Sequence, residues 1–126
     1  MVVEDDDAVR ATIALALRDF DVEARRFASA GEVLEACDRA APDVVFLDIA
    51  LRGFDAIDVI RALGNDGYDG AIQLVSGHHS LLEAVQRIGH GIGLTMLEPV
   101  RKPFHASEIR RAAEDYGRRV TAACSN

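Results

Sequence analysis

The chain has 126 residues, of which 49% are hydrophobic and 28% are charged, and its formal net charge is −7. This length and composition suit one small globular domain, and the acidic charge argues against direct nucleic-acid binding, which requires basic surface. We expect no membrane contact and no signal peptide, because no apolar run reaches the roughly 18 to 20 residues of a membrane span. Cys37 and Cys124 are far apart in sequence and lack metal-ligand spacing. We therefore expect the protein to lie in the reducing cytoplasm.

Hydrophobic periodicity predicts five strands and five helices in alternation. The predicted strands are, in chain order, residues 2–3, about 22–27, 44–47, about 71–75 and part of 94–100. The second strand is weakly marked. The apolar helix faces are Val9, Ile13, Leu17 and Phe20; Val33, Leu34 and Cys37; Ile57, Ile60 and Leu63; Leu81, Val85 and Ile88; and Ile109, Ala113, Tyr116 and Val120. This alternation predicts a three-layer α/β fold.

Two helix starts carry the spacing of a capping box, in which a serine and a glutamate three residues later satisfy each other's backbone amides. These pairs are Ser29 with Glu32 and Ser80 with Glu83. Asp55 is expected to cap the third helix. The fourth helix is expected to break at the glycines of residues 89–93.

Polar residues follow four of the predicted strands. They are the acidic run at residues 4–7, Asp48, Ser76 and Lys102. In a parallel sheet these positions converge at one edge, where such sheets place ligand sites. Alone, Asp48 could simply cap the turn after its strand. Its polar companions argue for a functional site instead.

Grouped carboxylates call for a raised pKa, a basic partner or a hard cation, and Mg²⁺ fits best because it leaves room for phosphate oxygens. Lys102 can hold Asp48 in the empty site and a phosphoryl oxygen in the filled one. Ser76 can donate a hydrogen bond to a second phosphoryl oxygen. These residues predict that Asp48 is a nucleophile that forms an aspartyl phosphate.

Four segments, in this order along the chain, resemble the receiver domain of two-component response regulators. They are Val2-Val3-Glu4-Asp5-Asp6-Asp7, Pro42-Asp43-Val44-Val45-Phe46-Leu47-Asp48, Leu74-Val75-Ser76-Gly77 and Lys102-Pro103-Phe104. The resemblance implies a doubly wound, flavodoxin-like, five-stranded parallel sheet with helices on both faces. It also implies a cis peptide between Lys102 and Pro103.

The resemblance assigns a role to each site residue. Asp48 would be the phosphoacceptor, Lys102 the phosphate-contacting lysine and Ser76 the switch hydroxyl. Mg²⁺ would be held by Asp48, by Asp5 directly, by Glu4 through water and by the carbonyl of Ala50.

The family also implies partners. Phosphate would come from a sensor histidine kinase or a phosphotransfer protein, and the surface of the fourth helix, fifth strand and fifth helix would change. We place the receiver at residues 1–120 and a tail at 121–126. A weaker similarity, in residues 76–104, is to receivers linked to EAL-type cyclic-di-GMP phosphodiesterase domains. A homodimer is a further option.

The chain departs from the family pattern at several positions. The first strand is short, and Arg52 and Ala56 stand where the family often has Pro and Gly. The stretch 76–102 is about four residues longer than usual and glycine-rich. Pro99 stands where the family often has Tyr or Phe, so we expect signalling without an inward-turning aromatic ring.

Three other protein classes share part of this pattern. A phosphatase of the haloacid dehalogenase type would need a second Asp at the position of Ala50. A flavodoxin-like cofactor binder would need a phosphate-cradling loop where residues 4–7 are acidic. A degenerate receiver that only docks to partners stays open, although the joint presence of Asp5, Asp48, Ser76 and Lys102 argues against it.

Overall fold

The computed structural model describes residues 1–51, 53–77 and 79–124, and the side chains of residues 79 and 117–124 lie outside that description. Arg52, which stands where the family often has Pro, lies outside the described residues. The described residues form β1 (Val2–Val3), α1 (Asp7–Ala16), α2 (Ala30–Ala40), β2 (Val44–Asp48), α3 (Ala56–Asn65), β3 (Ala71–Ser76), α4 (His79–Gly91), β4 (Thr95–Met96), β5 (Val100–Arg101) and α5 (Ala106–Cys124).

All of the paired strands run parallel, which confirms the predicted doubly wound α/β fold. The sheet has the order β1-β2-β3-β4, and β5 also pairs with β3. Val3 pairs with Leu47, and Asp48 pairs with Val75. Ser76 pairs with Arg101. This register brings the carboxyl ends of β1, β2, β3 and β5 to one edge of the sheet.

The helices cover both faces of this sheet. On one face α2, α3 and α4 bury side chains such as Val33, Ile60 and Leu82 against the sheet. On the other face α1 and α5 bury Ile13 and Ile109. β3 is buried along its whole length, as expected for a central parallel strand.

The predicted second strand is wrong as an extended element. Residues 22–27 contribute a single bridge, between Ala24 and Val2, and the Val2 amide donates to the Glu23 carbonyl at 2.9 Å. Because β1 has only two residues, it offers this segment very few positions for pairing. The segment therefore reaches the carboxyl edge of the sheet outside regular structure.

The predicted fifth strand is divided into β4 and β5, which pair with opposite ends of β3. Pro99 lies between them and has no amide hydrogen for the ladder. The side-chain amide of Gln73 donates to the Glu98 carbonyl, and the Leu97 amide donates to the Ile72 carbonyl at 2.9 Å. These bonds hold the bend between the two short strands.

The capping box at α2 is confirmed, since Ser29 Oγ accepts from the Glu32 amide at 3.2 Å and Glu32 Oε2 accepts from the Ala28 amide at 3.1 Å. Asp55 caps α3, as predicted. The box predicted at Ser80 is wrong, because α4 already begins at His79.

Two predicted core residues also lie elsewhere. Leu81 is 52% exposed, and Leu82 takes the buried position on α4. Phe20 lies beyond the end of α1 and is 40% exposed.

The glycines predicted to break α4 do not end it at residue 89, and the helix continues to Gly91. Gly89 is the point of contact with β4, since a Cβ atom there would overlap the Met96 sulfur. This glycine therefore sets how closely α4 approaches the sheet. None of the helices among the described residues is long and apolar enough to span a membrane.

Candidate functional site

The predicted site residues meet at the carboxyl edge of the sheet. Glu4 follows β1, Asp48 ends β2, Ser76 ends β3 and Lys102 follows β5. Glu4, Asp48 and Ser76 are 3%, 4% and 1% exposed, so three polar side chains are withdrawn from water at the end of an apolar sheet. Burial of this kind is stable only when the polar groups have partners.

The ammonium of Lys102 supplies a partner for both carboxylates. Its Nζ lies 2.8 Å from Glu4 Oε1 and 3.3 Å from Asp48 Oδ1. Lys102 is the only lysine of the chain, and 26% of its side chain is exposed. The lysine thus bridges two buried carboxylates, and its own side chain stays partly exposed to solvent.

The pKa of Glu4 is raised to about 7, first because burial penalises the carboxylate and then because Asp48 lies beside it, while Lys102 acts in the opposite sense. Burial lowers the pKa of Lys102, but its contacts with Glu4 and Asp48 outweigh burial and the net pKa is raised. The pocket therefore favours the charged form of Lys102 and the protonated form of Glu4.

Ala50 and Ser76 contact the other predicted site residues through their backbones. The Ala50 amide donates to Asp48 Oδ1 at 3.3 Å, which places the Ala50 backbone beside the carboxylate. The carbonyl of Ser76 accepts from the Lys102 amide at 2.9 Å, which ties β3 to the lysine. The Lys102–Pro103 peptide is cis, as the resemblance implied. A Cβ atom at Gly77 would lie 3.8 Å from Lys102 Cβ, an ordinary van der Waals distance, so a small side chain would fit at this position.

The acidic run divides into distinct roles. Asp6 Oδ1 accepts from the amides of Ala8 and Val9 at 2.9 and 3.1 Å, which makes Asp6 the cap of α1. Asp7 forms ion pairs with Arg10 and Arg26. Hydrogen bonds from Arg26 first, and from Arg10 second, lower the pKa of Asp7.

An open cleft of about 560 Å³ lies over these groups. Its lining comprises Glu4, Asp5, Asp6, Asp7, Arg26, Phe27, Asp48, Ala50 and Lys102. Sequence reasoning missed Arg26 and Phe27. The available signal was their position at the end of the weak second strand, which reaches the same edge of the sheet as β1 and β2.

The donors in this cleft are chemically suited to a hard divalent cation, since they are carboxylate and carbonyl oxygens. In the part of the chain that the structure describes, no three His, Cys, Asp or Glu side chains already form a metal cluster. The positive charge beside Glu4 and Asp48 comes from Lys102 instead. The oxygen donors are thus of the type that Mg²⁺ prefers, although the described carboxylates are not gathered into a three-residue cluster.

Comparison with known proteins decides the family, because residues 1–114 match the response regulator receiver domain. The chain belongs to this family. Among curated relatives, the receiver is 28% identical over 108 residues to the response regulator protein TodT of Pseudomonas putida, covering 86% of this chain and 46% of TodT. The receiver spans about half or less of the length of the curated relatives it matches.

Solved structures agree with this assignment. The receiver domain of NtrX from Brucella abortus is 27% identical, with a TM-score of 0.72 over 91% of this chain and 94% of that one. The chemotaxis protein CheY4 of Vibrio cholerae, at 19% identity and a TM-score of 0.71 over 91% of this chain and 94% of that one, shows the same fold. The predicted fold class is thus confirmed by both sequence and structure.

Proposed function

We propose that this receiver accepts a phosphoryl group on Asp48 in an Mg²⁺-dependent transfer from a histidine kinase or a phosphotransfer protein. The observation that carries the proposal is the position of Asp48. This buried carboxylate lies at the base of an open cleft, 3.3 Å from the ammonium of Lys102. A nucleophile with a fixed cation beside it is suited to phosphoryl transfer, where positioning and charge stabilisation dominate.

In the proposed step, an Asp48 carboxylate oxygen attacks phosphorus, and the bond from phosphorus to the donor breaks. The leaving group departs with the bonding electron pair. Lys102 contacts a phosphoryl oxygen, and Ser76 donates to another. When bound, Mg²⁺ supplies positive charge to the phosphoryl oxygens, and Asp5, Asp48 and the Ala50 carbonyl would hold it, with Glu4 acting through water.

Intact-mass measurement with acetyl phosphate tests this proposal. In the presence of Mg²⁺ the protein is expected to gain one phosphoryl group, and EDTA is expected to prevent the gain because the site then lacks its divalent cation. If the mass stays unchanged even when a histidine kinase is supplied, the protein is a docking module without phosphorylation.

The acidic run offers a second test, because its members differ in role. Asp5→Ala is expected to weaken Mg²⁺ binding far more than Asp7→Ala, since Asp5 is a proposed ligand while Asp7 pairs with two arginines at the start of α1. A metal titration followed by calorimetry gives both affinities. Equal losses would show that the ligand assignment is in the wrong register.

We further propose that phosphorylation changes the surface formed by α4, β5 and α5. From Leu94 to Lys102 the chain has no aromatic residue, so the change would pass through the backbone of the glycine-rich segment from Gly89 to Gly93. Gln86 supports this route, because it links the two sides of the segment. Its side-chain amide, on α4, donates to the Leu97 carbonyl at 2.9 Å.

Hydrogen exchange with and without beryllofluoride tests this route. Amides of residues 78–100 are expected to respond more strongly than those of α2, because they lie on or beside the proposed path. A response no larger than that of α2 would contradict it.

We also propose the domain boundary and the cellular setting of this receiver. Residues 1–120 would form the receiver and 121–126 a tail, although α5 itself runs to Cys124. We propose that the protein is cytoplasmic and that it controls either an output domain or a separate partner. The resemblance in residues 76–104 suggests an output domain of the EAL type. Self-association as a homodimer is a further option.

A further inference from the structure

Arg26 lies in the same cleft as Asp48 and Lys102, and the proposed transfer leaves it without a role. Its Nη2 donates to both carboxylate oxygens of Asp7 at 3.1 Å, and its Nε donates to Oδ1 at 3.3 Å. The two side chains are 68% and 66% exposed. The guanidinium therefore faces solvent at the mouth of the cleft, held by a partner that is equally exposed.

Asp7 does not depend on Arg26 for its positive partner. Arg10 also pairs with Asp7, and its side chain is only 16% exposed. Arg10 is fixed in place because it donates to the Glu4 carbonyl at 2.9 Å. If Arg26 moved away, Asp7 would keep an ion pair, so the bond between Arg26 and Asp7 can be exchanged at little cost.

The preceding arginine provides a contrast. Arg25 stacks over the Phe27 ring at 4.2 Å from its centroid. It also lies 3.5 Å from Glu23 and 3.7 Å from Glu32. Of the two consecutive arginines, Arg25 is committed to the surrounding structure, and only Arg26 lines the cleft.

The charge of the cleft suggests a role for Arg26 in binding anions. Five carboxylates line it, at residues 4–7 and 48, against the two cations Lys102 and Arg26. Lys102 already bridges Glu4 and Asp48. A phosphodonor is an anion and meets this acidic surface first at the mouth. An arginine whose carboxylate partner is exposed to water is suited to receive it, because water screens the existing pair and guanidinium binds phosphate through two parallel hydrogen bonds.

We propose that Arg26 binds the anionic phosphodonor at the mouth of the cleft by exchanging the Asp7 carboxylate for phosphate oxygens. Arg26 then sets the affinity for small phosphodonors such as acyl phosphates and phosphoramidates, while Asp48 and Lys102 carry out the transfer. This inference rests on the proposed phosphorylation of Asp48.

The first test is the dependence of the phosphorylation rate on acetyl phosphate concentration. Arg26→Gln is expected to raise the half-saturating concentration by about three- to tenfold, with the maximal rate and Mg²⁺ affinity little changed. Asp7→Asn is expected to lower that concentration, because it frees Arg26. Arg39→Gln is the control for net charge, since Arg39 is an exposed residue of α2 and does not line the cleft. Equal half-saturation for wild type and Arg26→Gln overturns the inference.

The second test does not depend on phosphorylation. In Asp48→Asn protein, inorganic phosphate is titrated while the Arg26 side-chain Nε–Hε resonance is followed by NMR. A saturable shift of that resonance supports the inference. In Arg26→Gln, which lacks the resonance, the affinity for phosphate is measured from the backbone amides of the cleft and is expected to fall at least about threefold. If phosphate leaves that resonance unmoved, Arg26 is not the phosphodonor contact. A wild-type protein that never gains phosphate would instead refute the proposed function, and this titration alone would then decide the role of Arg26.

Discussion

Lys102→Met is expected to slow phosphorylation of Asp48 by about 10²- to 10³-fold, the loss typical when one preorganised charge-stabilising donor is removed from an active site. Lys102 bridges Glu4 and Asp48 at 2.8 and 3.3 Å. Methionine is an unbranched apolar side chain of similar length to the aliphatic stem of lysine. The substitution therefore removes the ammonium and changes the packing little. Rates are measured by intact mass at saturating acetyl phosphate and Mg²⁺.

The neighbouring Arg101 provides the control for net charge. Arg101 is an exposed residue of β5, and Arg101→Gln removes one positive charge without removing the cation beside Asp48. We expect its rate to stay close to that of wild type. A Lys102→Met rate within a few-fold of the control would show that the lysine is a structural counter-ion and takes no part in transfer.

The free energy of unfolding is expected to fall as the pH rises from about 4.5 to about 7. In the folded protein the pKa of Glu4 is raised from 4.5 to about 7. In that pH window the folded state binds more protons than the unfolded state, so deprotonation favours unfolding. At about 1.4 kcal/mol for each pKa unit, the expected loss from Glu4 is about 3 kcal/mol.

Urea unfolding of wild type and Glu4→Gln at pH 5, 6, 7 and 8 isolates this contribution. The variant carries a neutral side chain of similar shape, so it is expected to gain stability relative to wild type as the pH rises. Glu83→Gln is the matched control, because Glu83 is exposed on α4. Added Mg²⁺ is expected to flatten the wild-type curve. Parallel curves for wild type and Glu4→Gln would contradict the assignment.

The site was easier to predict than the strands that carry it. Asp48 and Ser76 follow long apolar runs, and both runs form full strands in the centre of the sheet. The convergence of the polar residues then follows from parallel pairing alone, which a sequence pattern can predict.

Features that depend on tertiary contacts were harder. The segment 22–27 has strand-like residues but meets only the two-residue strand β1. The bend between β4 and β5 depends on Gln73, which is distant in sequence and donates to the Glu98 carbonyl. Likewise, Gly89 reads as a helix breaker, yet it is a contact with Met96. In each case a non-local partner overrides the local pattern.

Location of the phosphoryl group tests the central claim most directly. The protein is incubated with acetyl phosphate and Mg²⁺, any acyl phosphate is reduced with borohydride, and the modified residue is identified by peptide mass spectrometry. Conversion of an aspartate to homoserine is expected at Asp48 alone. Conversion at Asp5, Asp6 or Asp7, or at no residue, would contradict the assignment of Asp48 as the phosphoacceptor.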